Sequence, residues 1–190
     1  MKTRADKRRT EIRLAGEGGQ GMILAGIILA EAAAIYDGKN AVQSQSYGPE
    51  ARGGASRSEV IISQDEIDFP EVILPDILVA LSQMAYDKYA TNLSPDGLLI
   101  VDEDRVRDVS GEKFVKLPIG HIALEVTGKA ITANTVALGI LVGLTGLVSR
   151  AALAQAVAAH APKGTAEMNS IALQAGFEQA EIILKEKMQG

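Results

Sequence analysis

Residues 11–38 read EIRLAGEGGQGMILAGIILAEAAAIYDG. Glu11 to Ala15 is a short strand that runs into a glycine-rich turn, Gly16-Glu17-Gly18-Gly19-Gln20-Gly21. From about Gln20 follows a run rich in Ala, Leu and Ile, with one charge mid-run at Glu31. It closes on Gly38, a residue suited to a helix C-terminus. A helix apolar nearly all round is expected to be central and packed on a sheet.

Working outward, Asn40 to Ser46 is a second strand that delivers the chain to a glycine-bearing loop ending at Gly54. Ser56 to Ser63 alternates as a strand, and "DEIDFP" after it reads as a short partner or edge piece. "DILVALS" (Asp76 to Ser82) is almost wholly apolar, as buried parallel strands are. "QMAYDKYATNL" is a helix stopped by the turn Ser94-Pro95-Asp96-Gly97. "LLIVDED" and "EKFVKLP" add two more strands. From about Gly120 the chain is mostly helical, with breaks near Arg150 and at Pro162-Lys163-Gly164. Strands alternating with helices predict a mainly parallel, doubly wound, Rossmann-like α/β sheet with helices on both faces. The expected organisation is a basic tail over 1–10 and a single domain over 11–190, with no internal repeat.

With 190 residues, 47% apolar and 23% charged, the chain has the composition of one globular domain. A net charge of −5 offers no broad basic surface to nucleic acid; the run Lys2 to Arg9 reads as a solvated tail. There is no cysteine. That suits a cytoplasmic protein and denies the chain thiolates for an iron–sulfur cluster or a structural zinc. His121 and His160 stand far apart without ligand spacing, so no metal site is expected. The N-terminus lacks the apolar core of a secretory signal. Residues 130–149 form a run of 20 uncharged residues, long enough to imitate a membrane span. Its Thr132, Asn134, Thr135, Thr145 and Ser149, with Gly139, Gly143 and Gly146, predict instead a helix buried among protein neighbours. Gly139 and Gly143 lie four apart and would let another backbone approach one face.

The turn Gly16 to Gly21 matches G-x-G-x-x-G after a strand and at the start of a helix. Three readings fit it: a tight packing turn, an anion or phosphate cradle on a helix N-terminus, and a dinucleotide site. The last also wants an acid after the second strand, which here ends in Gln45-Ser46; Asp37 has nearly the right count but precedes that strand. In the loop that follows, Gly48-Pro49 fixes a turn and Gly53-Gly54 frees the backbone, while Tyr47, Glu50 and Arg52 supply polar chemistry. Glu50 and Arg52, two apart, fall on one side of an extended segment. Both glycine loops are expected at one strand-end crevice, facing a ligand or another subunit.

Together "IRLAGEGGQGMILAGIILAEAA", "DGKNAVQSQSYGPEARGGASRSEVIIS", "PDILVALSQMAYDKY" and "DGLLIVDEDRV" resemble the gamma subunit of the 2-oxoacid:ferredoxin oxidoreductases. The likeness continues through "ANTVALGILVG", and the wording around "QSQSYGPEARGGASRSEV" looks most like the 2-oxoglutarate branch. Glu17 departs from the pattern by placing a negative charge beside a potential phosphate cradle. The resemblance implies an enzyme that decarboxylates a 2-oxoacid on thiamine diphosphate, passes electrons through [4Fe-4S] clusters to ferredoxin and releases an acyl-CoA, or runs in reverse. Thiamine diphosphate, Mg2+ and the clusters would belong to alpha, beta and delta (ferredoxin-like) partners, with coenzyme A as co-substrate. This chain lacks both cysteine and the Gly-Asp-Gly motif that holds the thiamine metal. No catalytic residue is expected in it. Gly16, Gly18, Gly19, Gln20, Gly21, Tyr47, Gly48, Glu50, Arg52, Gly53, Gly54 and Asn134 are the residues expected to contact cofactor or partner. The alternatives are a free-standing nucleotide-dependent oxidoreductase and a pure assembly scaffold.

Overall fold

Strand β1 (Arg9–Glu17) takes up the middle of the molecule in the computed structural model, which describes residues 8–46, 54–110 and 114–189. Around it stand β2 (Asn40–Ser46), β3 (Ala55–Ser63), β4 (Ile77–Ala80), β5 (Leu98–Asp102) and β6 (Phe114–Leu117). They form one six-stranded sheet in the order β2-β3-β1-β4-β5-β6. β1, β4, β5 and β6 pair in parallel, whereas β3 runs antiparallel to both β1 and β2. The sheet is therefore mainly parallel, with one reversed strand that the expected alternation of strands and helices does not include. The connection from β2 to β3 is too short for a crossover, so β3 returns as a hairpin and slots between β2 and β1. β2 still points the same way as β1. The loops after both strands consequently emerge at one sheet edge, the carboxyl edge of the parallel strands.

The piece "DEIDFP" forms no strand. Residues 64–76 cross the opposite sheet edge as irregular chain, where Pro70 and Pro75 remove amide donors. They are tied down by Arg8 to Asp65 (2.8 Å), by Arg9 to the Glu71 carbonyl (3.2 Å) and by the Ile73 N–H to Glu11 (3.2 Å). Arg9 and Thr10, at the end of the expected tail, already belong to β1.

Strand alternation divides the core in two. Ile12, Leu14, Val60, Ile62, Ile77, Val79, Ile100 and Val115 point to one face. This larger face is covered by α1 (Met22–Glu31), α3 (Ile119–Thr127), α4 (Ala133–Thr145), α5 (Arg150–His160) and α6 (Ala166–Gln189). Ala15, Leu78, Ala80, Leu99 and Val101 point to the other, under α2 (Gln83–Tyr89). β2 is an edge strand: it carries no proline and no charge, and pairs with β3 in unbroken register from Asn40 to Ser46.

The uncharged run 130–149 contains α4, buried from Asn134 through Val142. Among the described residues no helix is long and apolar enough to cross a membrane. The glycines serve close packing. A Cβ on Gly139 would lie 2.5 Å from the Leu173 carbonyl oxygen, and one on Gly176 would lie 2.8 Å from the Gly139 Cα. α4 and α6 thus touch backbone to backbone. Gly139→Ala and Gly176→Ala are each expected to destabilise the chain by about 1–3 kcal/mol, the usual cost of overpacking. In a thermal melt this corresponds to about 2–4 °C for each kcal/mol in a chain of this size.

Candidate functional site

The glycine loop is shaped from inside. Gly19 (φ +94°) and Gly21 (φ +72°) take left-handed backbone conformations that side-chain-bearing residues rarely adopt. Gln20 folds back into the turn: its Oε1 accepts from the Glu17 N–H (2.6 Å) and its Nε2 donates to the Leu81 carbonyl (2.9 Å). The turn is thereby fastened to the end of β4. Gly16 leaves room for that amide, since a Cβ there would stand 2.5 Å from Gln20 Oε1. Gly21 is restricted a second time, because its Cβ would meet Asn134 Nδ2 at 2.5 Å. Asn134, in the first turn of α4, donates to the Gly21 carbonyl (3.2 Å) and accepts from the Thr135 N–H (2.9 Å). A Cβ on Gly18 would meet nothing within 4 Å. The loop therefore turns Gly18 outward.

Of the second expected loop, Gly54 lies just before β3; Tyr47, Gly48, Glu50, Arg52 and Gly53 lie outside the described residues. The strands that flank it are close to the first loop. Glu17 is in register with Ala55, and the Ser56 hydroxyl donates to the Gly16 carbonyl (3.2 Å). The structure thus brings Gly16 to Gly21, Asn134 and Gly54 to one edge.

Two features separate this edge from a dinucleotide site. Reversed β3, rather than a parallel strand, flanks β1 where a ribose-binding acid would be presented. Asp37, the acid nearest the right count, accepts from the Ser149 N–H (2.6 Å) and hydroxyl (2.7 Å) at the start of α5. It serves as part of a helix cap.

Sequence reading passed over two polar groups. Asp102, at the carboxyl end of β5, is buried, and burial pushes its carboxyl above the ordinary range. The opposing pull comes from the N–H groups of Asp104 (3.2 Å) and Gly120 (3.1 Å), which it accepts. On the α2 side, buried Arg13 donates from Nε and Nη2 to Glu59 Oε1 at 2.8 and 2.6 Å. The Arg13 and Arg57 guanidiniums lie 5.3 and 5.6 Å from the Tyr89 ring centre. The signal for this cluster was charge at Arg13 and Glu59, each next to the apolar part of its strand (Ile12 and Leu14, Val60). His160 meets Glu31 at 2.5 Å, far from His121 in the sequence. Among the described residues no group of three His, Asp or Glu side chains is placed to hold a metal. A cleft of about 650 Å³ between α2 and the β5–β6 side shares no lining residue with the glycine loop.

Comparison with known proteins matches residues 11–179 to the family described as pyruvate ferredoxin/flavodoxin oxidoreductase. The 2-oxoglutarate synthase subunit KorC of Methanocaldococcus jannaschii is 54% identical over 95% of this chain and 99% of its own length. Among solved structures, the keto/oxoacid ferredoxin oxidoreductase gamma subunit from Geobacter sulfurreducens is 50% identical. It covers 92% of this chain and 97% of its own, with a TM-score of 0.84. Pyruvate oxidoreductase subunit PORC from Thermotoga maritima is 30% identical over 90% and 97% of the two chains, with a TM-score of 0.74.

Gln20→Ala removes one acceptor and one donor from a packed turn and is expected to cost about 1–3 kcal/mol of stability. Gln20→Glu, which cannot donate to the Leu81 carbonyl, is expected to be no better; chemical denaturation checks both. Asp102 gives a pH signature. Its folded-state value is raised, so the unfolded chain ionises first and stability is lost as pH rises from the ordinary carboxylate value through the raised one. Compared with Asp102→Asn across a pH series, the native chain should lose relative stability over that window and level off above it.

Proposed function

The chain belongs to the pyruvate ferredoxin/flavodoxin oxidoreductase family, and from that premise we propose that it is the gamma subunit of a 2-oxoglutarate:ferredoxin oxidoreductase. The complex converts a 2-oxoacid, coenzyme A and oxidised ferredoxin to acyl-CoA, carbon dioxide and reduced ferredoxin, or runs in reverse. The observation that carries the choice of 2-oxoacid is identity of 54% along 99% of a 2-oxoglutarate synthase subunit, against 30% for a pyruvate oxidoreductase subunit. The proposed setting is the cytoplasm, with alpha, beta and ferredoxin-like delta subunits as partners.

Residues of this chain do not fit the cofactors of the reaction. It has no cysteine for a [4Fe-4S] cluster and no Gly-Asp-Gly motif for the Mg2+ of thiamine diphosphate. Those groups, assigned here to the partner subunits, supply carbanion stabilisation and electron transfer. The gamma chain's share is to dock and to shape the entrance to a composite site. The shared edge of the two glycine loops supports this reading. Gly16, Gly18, Gly19 and Gly21 keep side chains out of the way there, while Gln20 and Asn134 hold the backbone in shape. Tyr47 to Gly54 provide the polar face, on which Arg52 offers a planar fork to a phosphate or carboxylate of coenzyme A.

Tagged chain expressed in its native host should co-purify with thiamine-binding and cluster-bearing subunits; recovery as a lone active enzyme would overturn the reading. In the assembled complex, Arg52→Ala should raise the KM for coenzyme A about ten-fold or more, the value of one charge-assisted hydrogen bond. An unchanged KM with intact assembly would remove Arg52 from the coenzyme A site and leave the scaffold alternative.

A further inference from the structure

We propose that Arg57 is an anchor for a carboxylate presented by a partner subunit, received on the open face of β2 and β3. The proposal rests on the gamma-subunit reading and adds a named contact to it.

Three cations converge on the buried ring of Tyr89: Arg13 at 5.3 Å, Arg57 at 5.6 Å and Lys88 at 5.6 Å. Among the described residues, Glu59 is the one carboxylate in ionic contact with the two arginines. Arg13 takes Glu59 Oε1 with two hydrogen bonds. Arg57 Nε stands 3.8 Å from the same oxygen, beyond hydrogen-bond range. That Nε is buried and has no hydrogen-bond partner, although a third of the side chain, 33%, is exposed. Buried donors are normally paired, and an arginine has five of them in one plane. The cluster has a surplus of positive charge and an unsatisfied donor in the same residue.

Nε itself is sealed from solvent, so a group arriving from outside meets the exposed third of the same side chain, and the surroundings indicate what that group is. Arg57 is in register with Ser46, and Glu59 with Ser44. These residues share the α2 side of the sheet. There α2 lies against β1, β3 and β4, while Ser44 and Ser46 of β2 are exposed. An open sheet face offers no concavity to enclose a small ligand. It does offer a flat seat to another protein surface, with the guanidinium fork at its inner border matched to a carboxylate. Arg57 is also two residues from the carboxyl edge, so a subunit seated here would reach that edge as well.

The test uses full-length purified chain titrated into the complex of the remaining subunits, with affinity measured over a salt series. Arg57→Ala is expected to weaken binding about ten- to a hundred-fold and to flatten its salt dependence. Arg57→Lys should recover part of the loss. The melting temperature of the isolated variants should change little, because the buried Arg57 Nε has no hydrogen-bond partner and its contact with Glu59 is 3.8 Å long. Native affinity in Arg57→Ala overturns the proposal. So does native affinity with a raised KM for coenzyme A, which would assign the oxyanion to the small molecule. A fall in the isolated chain's melting temperature by Glu50→Gln that is non-additive with Arg57→Ala would place the partner within the chain, and also overturns it. If the unaltered chain fails to bind the remaining subunits, the gamma-subunit reading falls, and this proposal with it; loss of effect in Arg57→Ala alone leaves that reading standing.

Discussion

Gly139 of α4 and Gly176 of α6 meet with no side chain between them, and the position of the candidate site is built out from that contact. It fixes α4 against the outermost layer at a depth no alanine would allow. α4 then carries Asn134 to the Gly21 carbonyl, which starts α1. α1 in turn lies close on β3, because Gly26 leaves room for the Ser58 hydroxyl. A packing constraint between two helices is thus transmitted, residue by residue, to the turn that forms that edge. The long uncharged run is what this geometry requires: a helix with neighbours all round can present little but apolar and small side chains.

The polar residues near the edge are largely committed inward. Gln20 holds its own turn to β4, Asn134 holds that turn to α4, and Asp37 holds Ser149, the residue that caps α5. A nucleotide-binding version of this fold would turn such groups toward a ligand. Here the reversed β3 occupies the place of the strand that would carry the acid, and the loop satisfies itself. Among the described residues, what the edge turns outward is backbone at Gly18. That division suits a subunit whose partners bring the reactive groups.

Most strands were legible because apolar runs bounded by glycine and proline leave few alternatives; Asn40 to Ser46 was read with the ends the structure gives it. The helix over 133–145 was legible as buried, because its threonines and glycines argue against lipid. Other features depend on contacts that no local pattern encodes. The insertion of β3 between β2 and β1 follows from a choice of neighbour, and the role of Asp37 from a bond to Ser149 112 residues away. Arg13 and Glu59 likewise find each other across 46 residues. "DEIDFP" was misread because its apolar residues suggested a strand, while its place at the sheet edge and the prolines around it leave it no ladder to join. The loop from Tyr47 to Gly53, the most specific stretch of sequence, lies outside the described residues.

The unguarded edge of β2 bears on how the chain is supplied. Its outer row of backbone donors and acceptors has neither lysine, proline nor bulge to discourage another strand. Among the described residues no strand pairs with that row, and such rows are where extended segments of other proteins can add. Balanced production with the other subunits, or prompt capture by them, limits the time for which the edge is available. Stoichiometry then bears on how long an edge open to strand addition stays uncovered, as well as on enzyme assembly.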